Sequence, residues 1–409
     1  MGRFLSHEEV TPESIFAAAG EKTGGLVAGR HVLAIQDTTC LSFSRRTVGR
    51  EGFGPGGDGS VAGLFLHPVI VLDAAEGNLL GLAAGRVWSR APEKVSSRRG
   101  RPLEEKESAR WIEEGLLARE RLREASSVTL IADREGDIFE AFARLPGERC
   151  HLIVRAGQDR ALEEGGSLFA APKSWNSAGQ REIALPARSG RAARTAVTEL
   201  RFGEVTLRRP AHGEKNGPES LRLVLVEVRE TRPPKDCDAV HWRLLTTHAV
   251  TTAEEGWRIA DWYRRRWRIE EYFRTLKKSG LDLEAAMIEQ ARSLENLVAM
   301  AAVAGVVVMR MVEGREAPAR HRATDIVEVQ DLPCLKALCL SLEGKTQKQK
   351  NPHAEGSLAW LAWIIGRLGG WSGYKSYSPP GPKTMATGWQ SFNAIRLGWS
   401  LNAKGPKLV

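Results

Sequence analysis

His31-Val32-Leu33-Ala34-Ile35-Gln36-Asp37 and Val128-Thr129-Leu130-Ile131-Ala132-Asp133 are two short apolar runs, each closed by an aspartate. Runs of this length bounded by polar residues read as buried strands. The carboxyl ends of central strands are where an open α/β sheet gathers its ligands. An aspartate after a strand is also a common turn former, so the pair alone is a weak signal of chemistry.

Outward from these runs, Leu64–Leu72 and Leu79–Trp88 read as further strands, joined by the hairpin turn Asp73-Ala74-Ala75-Glu76-Gly77-Asn78 and preceded by a Gly-rich turn, Gly52–Gly63. Arg90–Arg101 is basic and loop-like, and Glu105–Ala125 has helical spacing. A helix over Asp137–Ala143 and a strand over His151–Arg155 follow. Strand, hairpin, helix, strand, helix, strand describes an α/β fold, a mixed sheet with helices packed on it. Period-two, β-branched segments at Arg181–Leu185, Thr195–Leu207, Leu221–Val228 and Trp242–Thr247 form a strand-rich insertion. The chain then turns helical through Arg258–Ser279, Leu283–Val312, Thr324–Leu342 and Ser357–Leu368, before a Gly/Pro/Trp-rich tail. Gly280 is placed to end the first of these helices and Asp282 to cap the second, while Pro12 is placed to open a short N-terminal helix.

The 409 residues are 42% hydrophobic and 27% charged, the composition of a globular chain of two or three domains. Lys and Arg number 59 against 50 Asp and Glu, a formal charge of +9 that suits a polyanionic partner. Cys40, Cys150, Cys237, Cys334 and Cys339 form no CxxC pair and read as reduced, buried thiols. The longest apolar stretch, near Leu297–Met311, contains Arg310 and reads as too short to cross a bilayer, and no signal peptide opens the chain. The expectation is a cytoplasmic, nucleoid-associated protein with no membrane partner.

Chemistry is densest in Asp261-Trp262-Tyr263-Arg264-Arg265-Arg266-Trp267-Arg268-Ile269-Glu270-Glu271. On a continuous helix with Tyr263 at zero, Arg266, Glu270, Arg274 and Lys277 fall at about −60°, −20°, +20° and −40°. One narrow face then carries an aromatic ring, two guanidiniums, a carboxylate and an ammonium. A solvated face would scatter its charges and a core stripe would be apolar. Arg and Lys grip phosphates, and a carboxylate among them makes sense if it holds a cation. The plain alternative is an exposed helix with neighbouring ion pairs.

The series Tyr263, Arg266, Glu270, Lys277 resembles the Y-(2)-R-(3)-E-(6)-K signature of bacterial insertion-sequence DDE transposases. Ala34-Ile35-Gln36-Asp37-Thr38-Thr39 is similar to the segment around that family's first catalytic aspartate, and Ile131-Ala132-Asp133-Arg134-Glu135-Gly136-Asp137-Ile138 to that around its second. Leu64-Phe65-Leu66-His67, Arg86-Val87-Trp88 and the tail Pro382–Trp389 are also of the family's type.

The resemblance implies an RNase H-like mixed sheet flanked by helices, with a strand-rich insertion and a helical C-terminal region. The expected divisions are a linker over 1–30, a catalytic core over 31–156 and 251–312, a β-rich insertion over 157–250, and a dimerisation region over 313–409. By resemblance Asp37, Asp133 and Glu270 form a DDE triad holding two Mg²⁺ ions, for which Mn²⁺ substitutes, ions whose taste for carboxylate oxygen, water and phosphate suits such a site. Tyr263, Arg266, Arg274, Lys277 and Arg155 would contact DNA phosphates, and Trp242 would stack a flipped base. The implied activity is cut-and-paste transposition by nicking, hairpin formation and resolution, and strand transfer. The implied partners are double-stranded DNA, as transposon ends and target, and a second copy of the chain on that DNA.

Full-length relatives of this type carry a DNA-recognition domain ahead of the core, and Asp37 leaves no room for one. Two other readings follow: a truncated transposase that inhibits the intact enzyme by non-productive dimerisation, and a stand-alone structure-selective nuclease.

Overall fold

The computed structural model describes residues 2–403 except 44–52, 58–61, 91–102, 186, 188–191, 212, 215, 236 and 375–376. Residues 52 and 58–61 of the Gly52–Gly63 turn, and all but Arg90 of the basic Arg90–Arg101 segment, lie outside the described residues.

Two helices open the chain, α1 (Gly2–Leu5) and α2 (Pro12–Gly24). Thr11 Oγ1 accepts the Ser14 N–H, the Ser14 hydroxyl accepts the Thr11 N–H, and Pro12 occupies the first turn, where its missing donor costs nothing. The strands and intervening helices then run β1 (His31–Gln36), β2 (Thr39–Ser42), β3 (Gly54–Pro55), β4 (Ala62–Asp73), β5 (Leu79–Trp88), α3 (Arg110–Arg121), β6 (Ser127–Ala132), α4 (Phe139–Arg144) and β7 (Cys150–Arg155). Four more strands follow, β8 (Gly179–Leu185), β9 (Arg194–Arg208), β10 (Ser220–Glu230) and β11 (His241–Thr246). The described strands form one 11-stranded mixed sheet in the order β2-β4-β1-β6-β7-β11-β10-β9-β8, with β3 and β5 also paired to β4. The strands of the expected insertion thus continue the sheet, through β11 paired antiparallel to β7.

β1, β6 and β7 are mutually parallel, with Ile35 opposite Ile131 and Ala132 opposite Val154. Asp37, Asp133 and Arg155 therefore stand on one edge of the sheet at three neighbouring strand ends, with the strands about 5 Å apart. β4 runs antiparallel to β1 and β5 antiparallel to β4, and Gly77 takes the positive φ of +75° that their tight turn requires. Alternate residues of β1 face opposite layers, as the strand period demands. Leu33 and Ile35 join a core with Phe16, Ile259, Tyr272 and Leu294, and Val32 and Ala34 join another with Trp111, Ile112 and Phe142.

The helices that complete the fold are α5 (Ala253–Arg264), α6 (Trp267–Arg274), α7 (Ala291–Gly314), α8 (Leu332–Leu342), α9 (Leu358–Leu368) and α10 (Pro382–Ala403). Several differ from the reading of periodicity. The expected Arg258–Ser279 helix starts earlier, because Thr252 and Glu255 make a capping box, and breaks at Arg265–Arg266. It ends in a π turn, Thr275–Ser279. Asp282 has a left-handed φ of +47° and makes no side-chain cap, so α7 begins at Ala291 instead. Of Glu105–Ala125 only Arg110–Arg121 is α-helical, and the helix expected from Thr324 starts at Leu332, which puts Pro333 in its first turn, where proline is tolerated.

The Gly/Pro/Trp-rich tail holds α10, a helix of 22 residues. Gly388, which weakens a helix by propensity, lets α10 lie against α9, since a Cβ there would run into the Ile365 carbonyl. α7, with 24 residues, is long and apolar enough to cross a membrane, contrary to the reading of Leu297–Met311. In this fold 61% of its apolar window is buried, against α2, β5, α9 and α10. Of the five cysteines, Cys150, Cys334 and Cys339 are buried while Cys40 and Cys237 are only partly so. Trp267, at the start of α6, is 42% exposed.

At the edge of the sheet opposite Asp37, the Thr129 hydroxyl lies 2.8 Å from His31 Nε2 and 2.9 Å from His248 Nε2, and the His151 ring stacks on His248 with centroids 4.0 Å apart. Burial, then the neighbouring imidazoles, lowers the His248 pKa to about 3; burial also lowers His31 and His151. A histidine with a depressed folded pKa contributes stability above its unfolded value and loses it as pH falls toward the folded one. Thermal melting should therefore show stability declining below about pH 6.5, on the order of 1 kcal/mol per pH unit from His248. His248→Gln should flatten that acid limb; an unaltered limb would contradict the assignment.

Candidate active site

Asp37 leaves β1 with its carboxylate turned into the structure, its side chain 13% exposed. Oδ1 accepts the Thr38 N–H at 2.7 Å and Oδ2 accepts from Arg266 Nη1 at 2.9 Å. Its pKa is raised to about 7, first by burial and next by Asp133, with Glu270 adding; Arg266 and the Thr38 amide oppose the rise. Asp133 leaves β6 and caps the short 3-10 turn Arg134–Gly136, Oδ1 accepting the Glu135 N–H at 2.8 Å. Glu270, in the first turn of α6, accepts from Arg266 Nη2 at 3.3 Å and is 39% exposed.

Arg266 occupies the break between α5 and α6, and that break aims its guanidinium at both acids at once. Its side chain is 11% exposed and spans Asp37 and Glu270. Burial works against its charge, but Tyr263, Asp37, Asp133 and Glu270 together raise its pKa above the usual arginine value. The three acids and this arginine thus form one electrostatic unit, drawn from β1, β6 and α6.

A second arginine, which sequence reasoning missed, links the loops of the two aspartates. Arg110, 9% exposed at the start of α3, donates from Nε to Thr38 Oγ1 at 2.9 Å and from Nη2 to Glu135 Oε2 at 3.2 Å. With its oxygen accepting from Arg110, the Thr38 hydroxyl donates to His67 Nδ1 at 2.8 Å, leaving His67 Nε2–H to donate to Gln36 Oε1 at 3.2 Å. That tautomer requires a neutral His67, and burial, with Arg110 and Arg86 nearby, holds its pKa well below the usual value. Asp137, wholly buried, accepts from the Gly157 and Gln158 amides and pairs with Arg160 at 2.8 Å, anchoring the second-acid loop to the segment after β7. No spacing in the sequence signals these roles, because each partner lies on a different element.

The remaining expected contacts are scattered by the broken helix. Tyr263 is buried in the core, 5% exposed, where burial above all raises its phenol pKa and Arg155 hydrogen-bonds it. Arg155 also donates to the His241 carbonyl at 3.1 Å. Trp242 is partly buried with its ring centroid 5.9 Å from that of Tyr263. Lys277, in the π turn, donates to the Cys40 carbonyl at 2.5 Å and lies 4.0 Å from Glu284. Arg274 is exposed. Arg266 therefore meets Asp37 and Glu270, Lys277 meets β2 at Cys40, Arg155 and Trp242 meet Tyr263, and Arg274 faces solvent.

Among the described residues no three His, Cys, Asp or Glu side chains stand close enough to hold a metal ion together. Arg266 takes the place of a cation between Asp37 and Glu270. The donors nonetheless fit one: carboxylate oxygens suit hard divalent ions, and an aspartate raised to about 7 by burial and two further acids marks a site short of positive charge.

Residues 105–306 match the family model of the transposase DDE domain. The match takes in Asp133 and Glu270 and begins after Asp37. It supports a DDE transposase, a class of DNA-cleaving and strand-transfer enzymes that generally use divalent metals. The cryo-EM structure of a piggyBac transposase synaptic complex with hairpin DNA is similar over 93% of this chain and 55% of that one, at 10% identity and a TM-score of 0.39. This chain thus spans little more than half the length of that protein.

Arg110→Met should remove the link between the two aspartate loops. The expected loss of stability is roughly 1–3 kcal/mol, with faster hydrogen exchange at the Thr38 and Glu135 amides. Unchanged protection at both amides would show that the loops hold without it.

Proposed function

We propose that this chain is a transposase of the bacterial insertion-sequence type, acting on double-stranded DNA with Asp37, Asp133 and Glu270 as its catalytic acids. The observation that carries the reading is Arg266 paired with both Asp37 and Glu270, with Asp133 at the neighbouring parallel strand end. The strand order β5-β4-β1-β6-β7, with β4 antiparallel to β1 and the last three strands parallel, supports an RNase H-like core. On this reading 31–156 and 251–312 make the catalytic core, 157–250 a β-rich insertion that extends its sheet, and 313–409 a region that pairs two copies on DNA.

The three carboxylates would hold two Mg²⁺ ions, with Mn²⁺ able to replace them. When bound, such ions activate the attacking hydroxyl and stabilise the leaving oxygen of an in-line displacement. The chain's own residues do the rest. Thr38, His67 and Arg110 fix the backbone beside Asp37, so that its carboxylate is held before substrate arrives. Arg266 neutralises the acids at rest and turns to a phosphate when DNA brings its own negative charge, a group that a guanidinium grips in two places. Lys277 stands at β2 and Arg274 in solvent, both within the reach of a flexible cation from a bound backbone. Arg155 holds the Tyr263 hydroxyl beside Trp242, whose ring would stack an unpaired base during hairpin formation, worth about 1–3 kcal/mol. Nicking, hairpin formation and resolution, and strand transfer are each an attack on a phosphodiester, so one site serves all of them.

Two experiments test the reading. On a short duplex bearing the element's end, Asp37→Asn, Asp133→Asn and Glu270→Gln should each lower Mg²⁺-dependent cleavage by roughly a thousandfold or more with unchanged circular dichroism. Near-normal cleavage by any one would remove that acid from the site. Arg266→Ala should weaken DNA binding and reduce the slope of log affinity against log salt by about 0.9. A wild-type slope would mean that Arg266 never meets a phosphate.

A further inference from the structure

A groove of about 1280 Å³ opens far along the chain from the three acids, between the end of α7, α9 and the segments 347–353, 371–374 and 377–380. Its floor is Trp363, buried on α9, and its walls carry Trp371, Tyr374 and Tyr377. Tyr377 is 64% exposed, an unusual position for a large aromatic ring with no function. Lys348 and Lys350 line the same groove, both exposed, and neither forms an ion pair among the described residues. Arg315 adds a third cation and Glu316 is the acid of the lining.

The walls are held in place. Arg315 Nη1 donates to the Pro380 carbonyl at 2.8 Å, and Gln349 Nε2 donates to the Tyr374 hydroxyl at 2.9 Å, which joins the lysine-bearing segment to the tyrosine-bearing one. Arg367 lies over the Trp363 ring at 5.6 Å and donates to the Trp371 carbonyl. Gly373, within the aromatic segment, takes a positive φ of +83° that glycine adopts freely.

We propose that this groove binds single-stranded DNA, with unpaired bases stacked on Trp371, Tyr374 and Tyr377 and the backbone on Lys348 and Lys350. Aromatic faces interleaved with unpaired cations are what an unstacked strand requires. A duplex keeps its base faces inside and would use the lysines alone. The volume exceeds the roughly 300–1,000 Å³ of an ordinary small-molecule pocket. The proposal rests on the transposase reading only for the source of the strand, the unpaired bases at a processed DNA end.

The test is fluorescence anisotropy with a labelled oligothymidine of roughly ten nucleotides and the full chain in EDTA, so that cleavage does not enter. The expected result is salt-sensitive binding, tighter than to a duplex of the same length. The Lys348→Glu/Lys350→Glu variant should weaken it at least about tenfold by losing two phosphate contacts. Tyr377→Ala, a change at an exposed ring that spares the core, should weaken it roughly fivefold or more. Wild-type affinity in both variants overturns the proposal, as does equal binding of duplex and single strand. A change in oligomeric state on Tyr377→Ala without a change in affinity also overturns it, and gives the groove to a second copy. Oligothymidine binding lost in these variants, with no cleavage of the end-bearing duplex by the wild type in a separate assay with Mg²⁺, would count against the transposase reading alone.

Discussion

One guanidinium ties this structure together at its chemical centre. Arg266 is shared between Asp37, at the end of a central strand, and Glu270, on a helix that arrives more than two hundred residues later. Asp37 and Arg266 are largely shut off from water there, while Glu270 is more open, and a charge kept from water must be matched by another. The break between α5 and α6 puts Arg266 where it can meet both partners. The match is incomplete, since burial and the pooled negative charge still raise Asp37 to about 7. A site in that condition accepts a further cation readily, and on the proposed reading that is its purpose.

Rigidity around the site comes from the sheet and from a few polar links. Adjacent parallel strands bring the backbones of Asp37 and Asp133 side by side at no cost in specialised geometry. Arg110 then joins the two loops through Thr38 and Glu135, and Asp137 locks the second loop to the chain leaving β7. The flexible parts of the polypeptide are thereby pinned where carboxylates must be held in advance, as preorganised electrostatic catalysis demands. The strands β8 to β11 widen the same sheet, so the segment bearing Arg155 and Trp242 is rigidly continuous with the strands bearing the acids.

The sequence made the strands legible and the helix ends much less so. Apolar runs closed by Asp37 and Asp133, and the alternation at Thr195–Leu207 and Leu221–Val228, translate directly into burial, because a strand's pattern is local. The Tyr263-to-Lys277 stretch brought the right elements to the site by the wrong geometry. A continuous helix would put Tyr263 and Arg266 on one face, yet Tyr263 is core and Arg266 is at a kink, a placement decided by tertiary packing. α10 was hidden because its glycines read as breakers when Gly388 serves close contact with α9. Arg110, His67 and Asp137 were invisible for a different reason: their partners are tens of residues away, and nothing in spacing encodes such a meeting.

The central claim is that Asp37, Asp133 and Glu270 share divalent ions once Arg266 gives way. A crystal structure of the chain grown with Mn²⁺ and a DNA end, read by anomalous scattering at the metal, tests it most directly. The account predicts manganese between these three carboxylates, with the Arg266 guanidinium moved from Asp37 onto a phosphate. Manganese bound elsewhere, with Arg266 still paired to Asp37, would contradict it.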